Sequence, residues 1–139
     1  MRSLGIDYGD SRIGVALSDG MGWTAQGLCV IDGKKSRKYV LAEIVAIVEK
    51  NQVDTIVVGY PLNMNGSIGP RAEITDAFIK DLQGVMASIK MVKWDERLTS
   101  KAANNAMKEM GIKQTRKGMN DLLSAVFILQ GYLDSKYHS

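Results

Sequence analysis

The 139-residue chain is poor in the residues that carry several familiar chemistries. It has one cysteine, one histidine, two prolines and 6% aromatic residues. A single cysteine, Cys29, excludes a disulfide framework. It lies in the apolar run Gly27–Ile31, where a buried structural thiol is expected. One cysteine and one histidine also leave no Cys/His cluster for zinc, and His138 falls in the terminal Tyr-His-Ser, as a tail residue. No apolar run approaches the ~20 residues that span a bilayer. The N-terminal MRSLGIDYG has no apolar signal-peptide core. The expectation is a protein of the reducing cytoplasm with no membrane partner.

What is present is ordinary for a globular domain: 45% hydrophobic and 24% charged residues. The length fits a single domain over 1–139 that buries about two thirds of its unfolded surface. Net charge is +3, with the excess in the second half. Residues 1–70 balance at seven cations and seven anions, whereas Arg97–Lys117 holds six cations against Glu109 alone. That excess suits a polyanion. A solvated basic helix face with a basic loop explains it about equally well.

Hydrophobic periodicity predicts the elements. Ser3–Asp7 and Arg12–Ser18, split by the turn residues Gly9 and Asp10, read as a hairpin. Gly27–Ile31 adds a third strand, ended by Asp32-Gly33. Val40, Leu41, Ile44, Val45 and Val48 share one helical face. Asp54–Gly59 is the continuous apolar run of a strand buried on both faces. Ile74, Ala77, Phe78 and Leu82 mark a second helix, with Asp76 and Lys80 as a supporting pair. Ile89–Trp94 is the fifth strand. Leu98, Ala102, Ala106, Met107 and Met110 line a third helix ending at Gly111, with the methionines as core filler. Asp121–Leu133 is a nearly all-apolar final helix. The expected order β-β-β-α-β-α-β-α-α gives an α/β fold: a mixed five-stranded sheet, three antiparallel strands then alternating α and β, flanked by helices. Two loops stand out, Pro61–Pro70 and the basic Ile112–Gly118.

Three acidic positions could carry chemistry. Asp7 ends the first strand, Asp95-Glu96-Arg97 follows the fifth, and Asp121 opens the last helix. Taken singly, each has a structural explanation as a turn residue or an acidic first-turn residue. Neighbours on a strand face opposite ways, so Asp95 and Glu96 should differ in role. Together the acids could converge on one sheet edge, where their repulsion would raise each other's pKa. Hard Mg²⁺ or Mn²⁺ would relieve it, and such cations can activate water against a phosphodiester. Arg12, Arg71, Arg97, Lys101, Lys113, Arg116 and Lys117 are candidate phosphate contacts, with an Asp95 ion pair as the alternative for Arg97. Tyr60, Asn63 and Asn65 could line the cleft, and Trp23 reads as packing beside the hairpin.

Gly5-Ile6-Asp7-Tyr8-Gly9 with Arg12–Ala16, Val58–Asn63 with Asn65-Gly66, Asp95–Thr99, and Asp121 to Gln130 together resemble the YqgF/RuvX family across essentially the whole chain. The resemblance implies a ribonuclease H-like fold and Mg²⁺- or Mn²⁺-dependent phosphodiester hydrolysis. It maps the catalytic and metal-binding acids to Asp7, Glu96 and Asp121. The chain departs from the family at Leu122–Ala125, where a polar residue and an Ala-Ala pair are usual. The implied substrate is nucleic acid, with maturation of the 16S rRNA 5′ end favoured over a Holliday junction. A junction resolvase would need a two-fold dimer, an rRNA nuclease only a monomer. Two other readings remain. One is a non-catalytic ribosome-assembly factor on the same fold. The other is an actin-like ATPase, for which the chain is too short and lacks a second phosphate hairpin.

Overall fold

The computed structural model describes residues 2–98 and 117–137. Five strands form one sheet: β1 (Arg2–Tyr8), β2 (Arg12–Ser18), β3 (Ala25–Asp32), β4 (Val53–Tyr60) and β5 (Lys90–Asp95). Among the described residues three helices longer than one turn flank it: α1 (Arg37–Asn51), α2 (Pro70–Val85) and α3 (Lys117–Tyr137). The sheet order is β3-β2-β1-β4-β5. β1, β2 and β3 pair antiparallel, while β1, β4 and β5 run parallel. The mixed sheet expected from the periodicity is therefore present. The expected helix through Ala102–Met110, Lys101, and the basic loop with Lys113 and Arg116 lie outside the described residues, as does His138.

Strand alternation divides the core into two layers. Leu4, Ile6, Ile13, Val15, Ile56 and Val58 face α1 and α2, against Val40, Ile44, Phe78 and Leu82. Ala16 and Val57 face α3, against Ala125, Ile128 and Leu129. The Ser36 hydroxyl caps α1 by accepting from the Tyr39 N–H at 3.1 Å. Pro70 opens α2, so the loop ends one residue earlier than its last proline.

Several details differ from the sequence reading. The buried face of α2 is Ala72, Thr75, Phe78, Ile79 and Leu82, while Ile74 and Ala77 point outward. Thr75 is tolerated inside because its hydroxyl donates to the Arg71 carbonyl at 3.0 Å. Asp76 does not serve a helix pair with Lys80. It binds Lys93 Nζ and the Tyr60 hydroxyl, each at 2.7 Å. Trp23 is 63% exposed instead of packed. Cys29 is half-buried, and burial pushes its thiol pKa up, consistent with an unreactive thiol. Among the described residues no helix is long and apolar enough to cross a membrane.

The approach of α3 to the sheet depends on glycines. A Cβ at Gly14 would collide with the Asp121 carbonyl, and one at Gly5 would meet Leu129 Cβ at 2.6 Å. A Gly14→Ala change should therefore destabilise by about 1–3 kcal/mol, because the atoms it meets are helix backbone. Gly20→Ala, with nothing within 4 Å, is the matched control and should stay within roughly ±0.5 kcal/mol. Denaturant midpoints of the two variants check this; equal midpoints would contradict it.

Candidate active site

Because β1, β4 and β5 are parallel, their carboxyl ends lie at one edge of the sheet. Ligand sites in such sheets form outside those ends. Asp7 sits near the end of β1 and Glu96 directly follows β5. The face parity agrees with alternation. Trp94 and Val92 pack toward α3, so Glu96 turns to that side, while Lys93 reaches Asp76 of α2 on the other. Asp95 accordingly does a different job. It receives Arg97 Nη2 at 2.7 Å and Nε at 3.1 Å, which holds its carboxyl below the usual range.

Asp7 and Glu96 meet across β4, which separates β1 from β5. The space comes from Gly59: a Cβ there would stand 2.5 Å from Glu96 Oε1 and 2.6 Å from Ile128 Cδ1. The two carboxyls hydrogen-bond to each other, so one must carry a proton. The larger upward shift falls on Glu96. Burial first, then the Asp7 charge and this hydrogen bond, push Glu96 up to about 8. Burial, with the charge of Asp121 adding to it, raises Asp7 to about 6 against the lowering effect of the Glu96 bond. The Arg71 charge opposes both shifts.

Asp121 is the third expected acid, and its charge reaches Asp7. It is not in the first turn, as the sequence suggested, because α3 begins at Lys117. Its Oδ2 accepts Arg12 Nε at 2.7 Å. Arg12, expected on a phosphate, thus holds an acid of the site. Arg71 pairs with Asp10 at 3.0 Å, and Arg97, besides binding Asp95, donates to the Met64 carbonyl at 3.3 Å. Lys117 lies in α3, with its side chain outside the described set. Tyr60 is buried and turned to Asp76, away from the pair. Asn63 and Asn65 tie their own loop through Ser67. Sequence reasoning missed the part of Gly14 and Gly59, for which the only signal was glycine inside strand patterns.

Among the described residues no group of three Asp, Glu, His or Cys side chains is laid out to hold a metal ion. The Asp7–Glu96 pair nevertheless suits a hard divalent cation: both groups are oxygen donors, and positive charge would offset the burial and the mutual repulsion that keep the proton bound.

The pair has a consequence for stability. Its carboxyls bind protons more tightly folded than unfolded, so its contribution is most favourable in acid and is lost as pH rises through about 6 and then 8. Asp7→Asn removes that penalty. The variant should gain about 1–2 kcal/mol over wild type at pH 8–9, ~3–8 °C in Tm, and little at pH 4–5. Calorimetry across pH measures it, and a variant less stable than wild type at pH 9 would refute the shared proton.

Residues 1–135 match the RuvX family, described as Holliday junction resolvase. A protein of Ruminiclostridium cellulolyticum named "Putative pre-16S rRNA nuclease" is 55% identical over 135 residues, covering 96% of this chain and 94% of that one. A protein of the same name from Acetivibrio thermocellus is 53% identical over 137 residues, covering 98% and 97%. Among solved structures, Thermus thermophilus RuvC in complex with a Holliday junction substrate superposes with a TM-score of 0.63 at 13% identity, covering 99% and 96%. The yeast mitochondrial Holliday junction resolvase gives 0.59 at 10% identity, covering 94% and 77%. At such identities these two show a common fold, the RuvC-like form of the ribonuclease H architecture. A family match over nearly the whole length, with relatives more than half identical, settles the assignment: the chain belongs to the RuvX family and is a hydrolase of the nuclease class.

Proposed function

We propose that the protein hydrolyses phosphodiester bonds of structured RNA in a divalent-cation-dependent reaction, acting in maturation of the 5′ end of 16S rRNA. The observation that carries this is the Asp7–Glu96 pair, two part-buried carboxyls sharing a proton at the carboxyl ends of parallel strands. A structural role alone gives no reason to keep so costly an arrangement. The rRNA substrate rests on the printed names of the two bacterial relatives.

In this reading Asp7 and Glu96 would hold Mg²⁺ or Mn²⁺, and Asp121 would join them from α3. The cation would supply an activated water and neutralise charge on the scissile phosphate. The chain's own residues prepare the place. Gly59 admits the Glu96 carboxylate, and Arg12 holds Asp121 toward the sheet edge. Arg71 contributes positive field at both paired acids, and a phosphate would have to share it with Asp10, which holds it at 3.0 Å. Lys101, Lys113, Arg116 and Lys117 remain proposed backbone contacts.

Cation binding displaces the shared proton, so affinity for the metal should rise with pH between about 6 and 8. Titrating Mn²⁺ against Tm at pH 6 and pH 8 reads this without activity. Wild type should shift more at pH 8, and Asp7→Asn at neither. A pH-independent shift shared by both proteins would place the cation elsewhere.

Cleavage is assayed on a precursor RNA carrying the 16S 5′ flank and on a four-way DNA junction, with either metal. The RNA should be cut, and Asp7→Asn should lower the rate by about 10²–10³-fold or more while leaving binding nearly intact. Cleavage confined to the DNA junction would instead make this a resolvase. Binding without cleavage of either substrate would make it an assembly factor.

A further inference from the structure

A cluster of cations at the start of α1 has no part in the site described above. Lys34, Lys35, Arg37 and Lys38 fall within five consecutive residues, with no acid among them. The three lysines are exposed and, among the described residues, form no ion pair. The nearby acids are otherwise engaged. Asp32 Oδ1 accepts from the Lys34 N–H at 2.9 Å, and Asp81 takes Arg37 at 3.4 Å. Arg37 and Lys38 also occupy the first helical turn, where the helix dipole disfavours cations, and no first-turn acid offsets them. Lys35 Nζ lies 5.7 Å from the centre of the exposed Tyr39 ring and Arg37 is held by Asp81, yet the fold gives none of the three lysines a carboxylate partner among the described residues.

Its position ties the cluster to the reactive edge. β3 runs in the same direction as β1, since each is antiparallel to β2, so the turn after Asp32 lies at the same end of the sheet as Asp7. The Gly33 N–H donates to the Ser11 carbonyl at 3.0 Å. A Cβ on Gly33 would meet the Gly9 and Asp10 carbonyls at 2.9 Å, so the two turns are packed together. A recess of about 240 Å³ opens beside them, bounded by Tyr8, Ile13, Gly33, Lys35, Arg37 and Val40. Tyr8 directly follows Asp7 and faces the other side of the sheet, stacked on Phe78 at 4.2 Å. Arg37 lies over both rings, at 5.3 and 5.2 Å. The end of β1 therefore presents the carboxylate on one face and a cationic, aromatic-floored recess on the other.

We propose that Lys34, Lys35 and Lys38 hold the sugar–phosphate backbone of the nucleic acid where it continues past the scissile bond, over the β1–β2 turn, to the α1 side of the sheet. The inference rests on the nuclease reading and adds to it a second contact surface. Lysines are flexible point charges, suited to backbone and not to base edges. Arg37, held by Asp81 and the two rings, shapes the recess.

The test measures binding of a labelled RNA hairpin with a single-stranded flank to full-length Asp7→Asn protein, without added divalent cation so that the RNA stays intact, from 50 to 200 mM salt. Adding Lys34→Ala, Lys35→Ala and Lys38→Ala should make the dependence of log affinity on log salt shallower by about 2, since each lost phosphate contact is worth roughly 0.7–0.9. Replacing the same three by arginine should restore the slope. With Asp7 intact, the triple alanine variant should raise KM and leave kcat near wild type. An unchanged slope and KM in a protein that still binds RNA would overturn this inference and leave the nuclease reading standing. Failure of the parent Asp7→Asn protein to bind RNA at all would overturn both.

Discussion

The seating of α3 on the sheet is the contact on which the rest of this structure depends. Backbone of α3 occupies the space where a side chain on Gly14 would stand, and Leu129 does the same over Gly5. Only a glycine-bearing strand lets a helix come that close. The contact does two things at once. It buries Ala125, Ile128 and Leu129 against Ala16 and Val57, completing the second core layer. It also brings Asp121 in the second turn close enough for its charge to act on Asp7. Packing and chemistry are thus joined in one constraint, and Gly59 extends it by making room for Glu96 between β4 and Ile128.

The same closeness has an electrostatic cost. Asp7 and Glu96 are shielded from water and near each other, so near neutrality the folded chain retains a proton that the unfolded one has already lost. Other acids of the molecule are relieved locally, Asp95 by Arg97 and Asp76 by Lys93 and Tyr60, and both have lowered pKa values. Among the described residues the cation that offsets the pair's shifts is Arg71. Burial and repulsion left unrelieved at this one pair are what the proposed cation site rests on.

Charge elsewhere follows a similar division. Arg12, Arg71 and Arg97 are each held by a carboxylate around the reactive edge. Lys34, Lys35 and Lys38 are not, although they stand at the same end of the sheet. Averaged over residues 1–70 the chain is neutral, and that average concealed four cations in five positions. The difference between the two groups emerges only once each cation's neighbours are known.

Much was legible in the sequence because its cause is local. Alternation fixed β2 to the residue, and it separated Glu96 from Asp95 before any partner was known. Continuous apolarity marked β4 as a central strand, and three strands without helices marked the meander. Other features were hidden for equally physical reasons. The first turn of α3, Lys117-Gly118-Met119-Asn120, has no apolar period, so Asp121 looked like a helix start. Thr75 joined the core because a backbone carbonyl satisfied it, which no hydropathy pattern reveals. The chain alone determined that acids stand at the ends of the first and fifth strands and that Asp95 and Glu96 differ in role. Tertiary structure decided that Asp7 and Glu96 share a proton while Asp121 is held by Arg12, because such pairings depend on distances between residues remote in sequence.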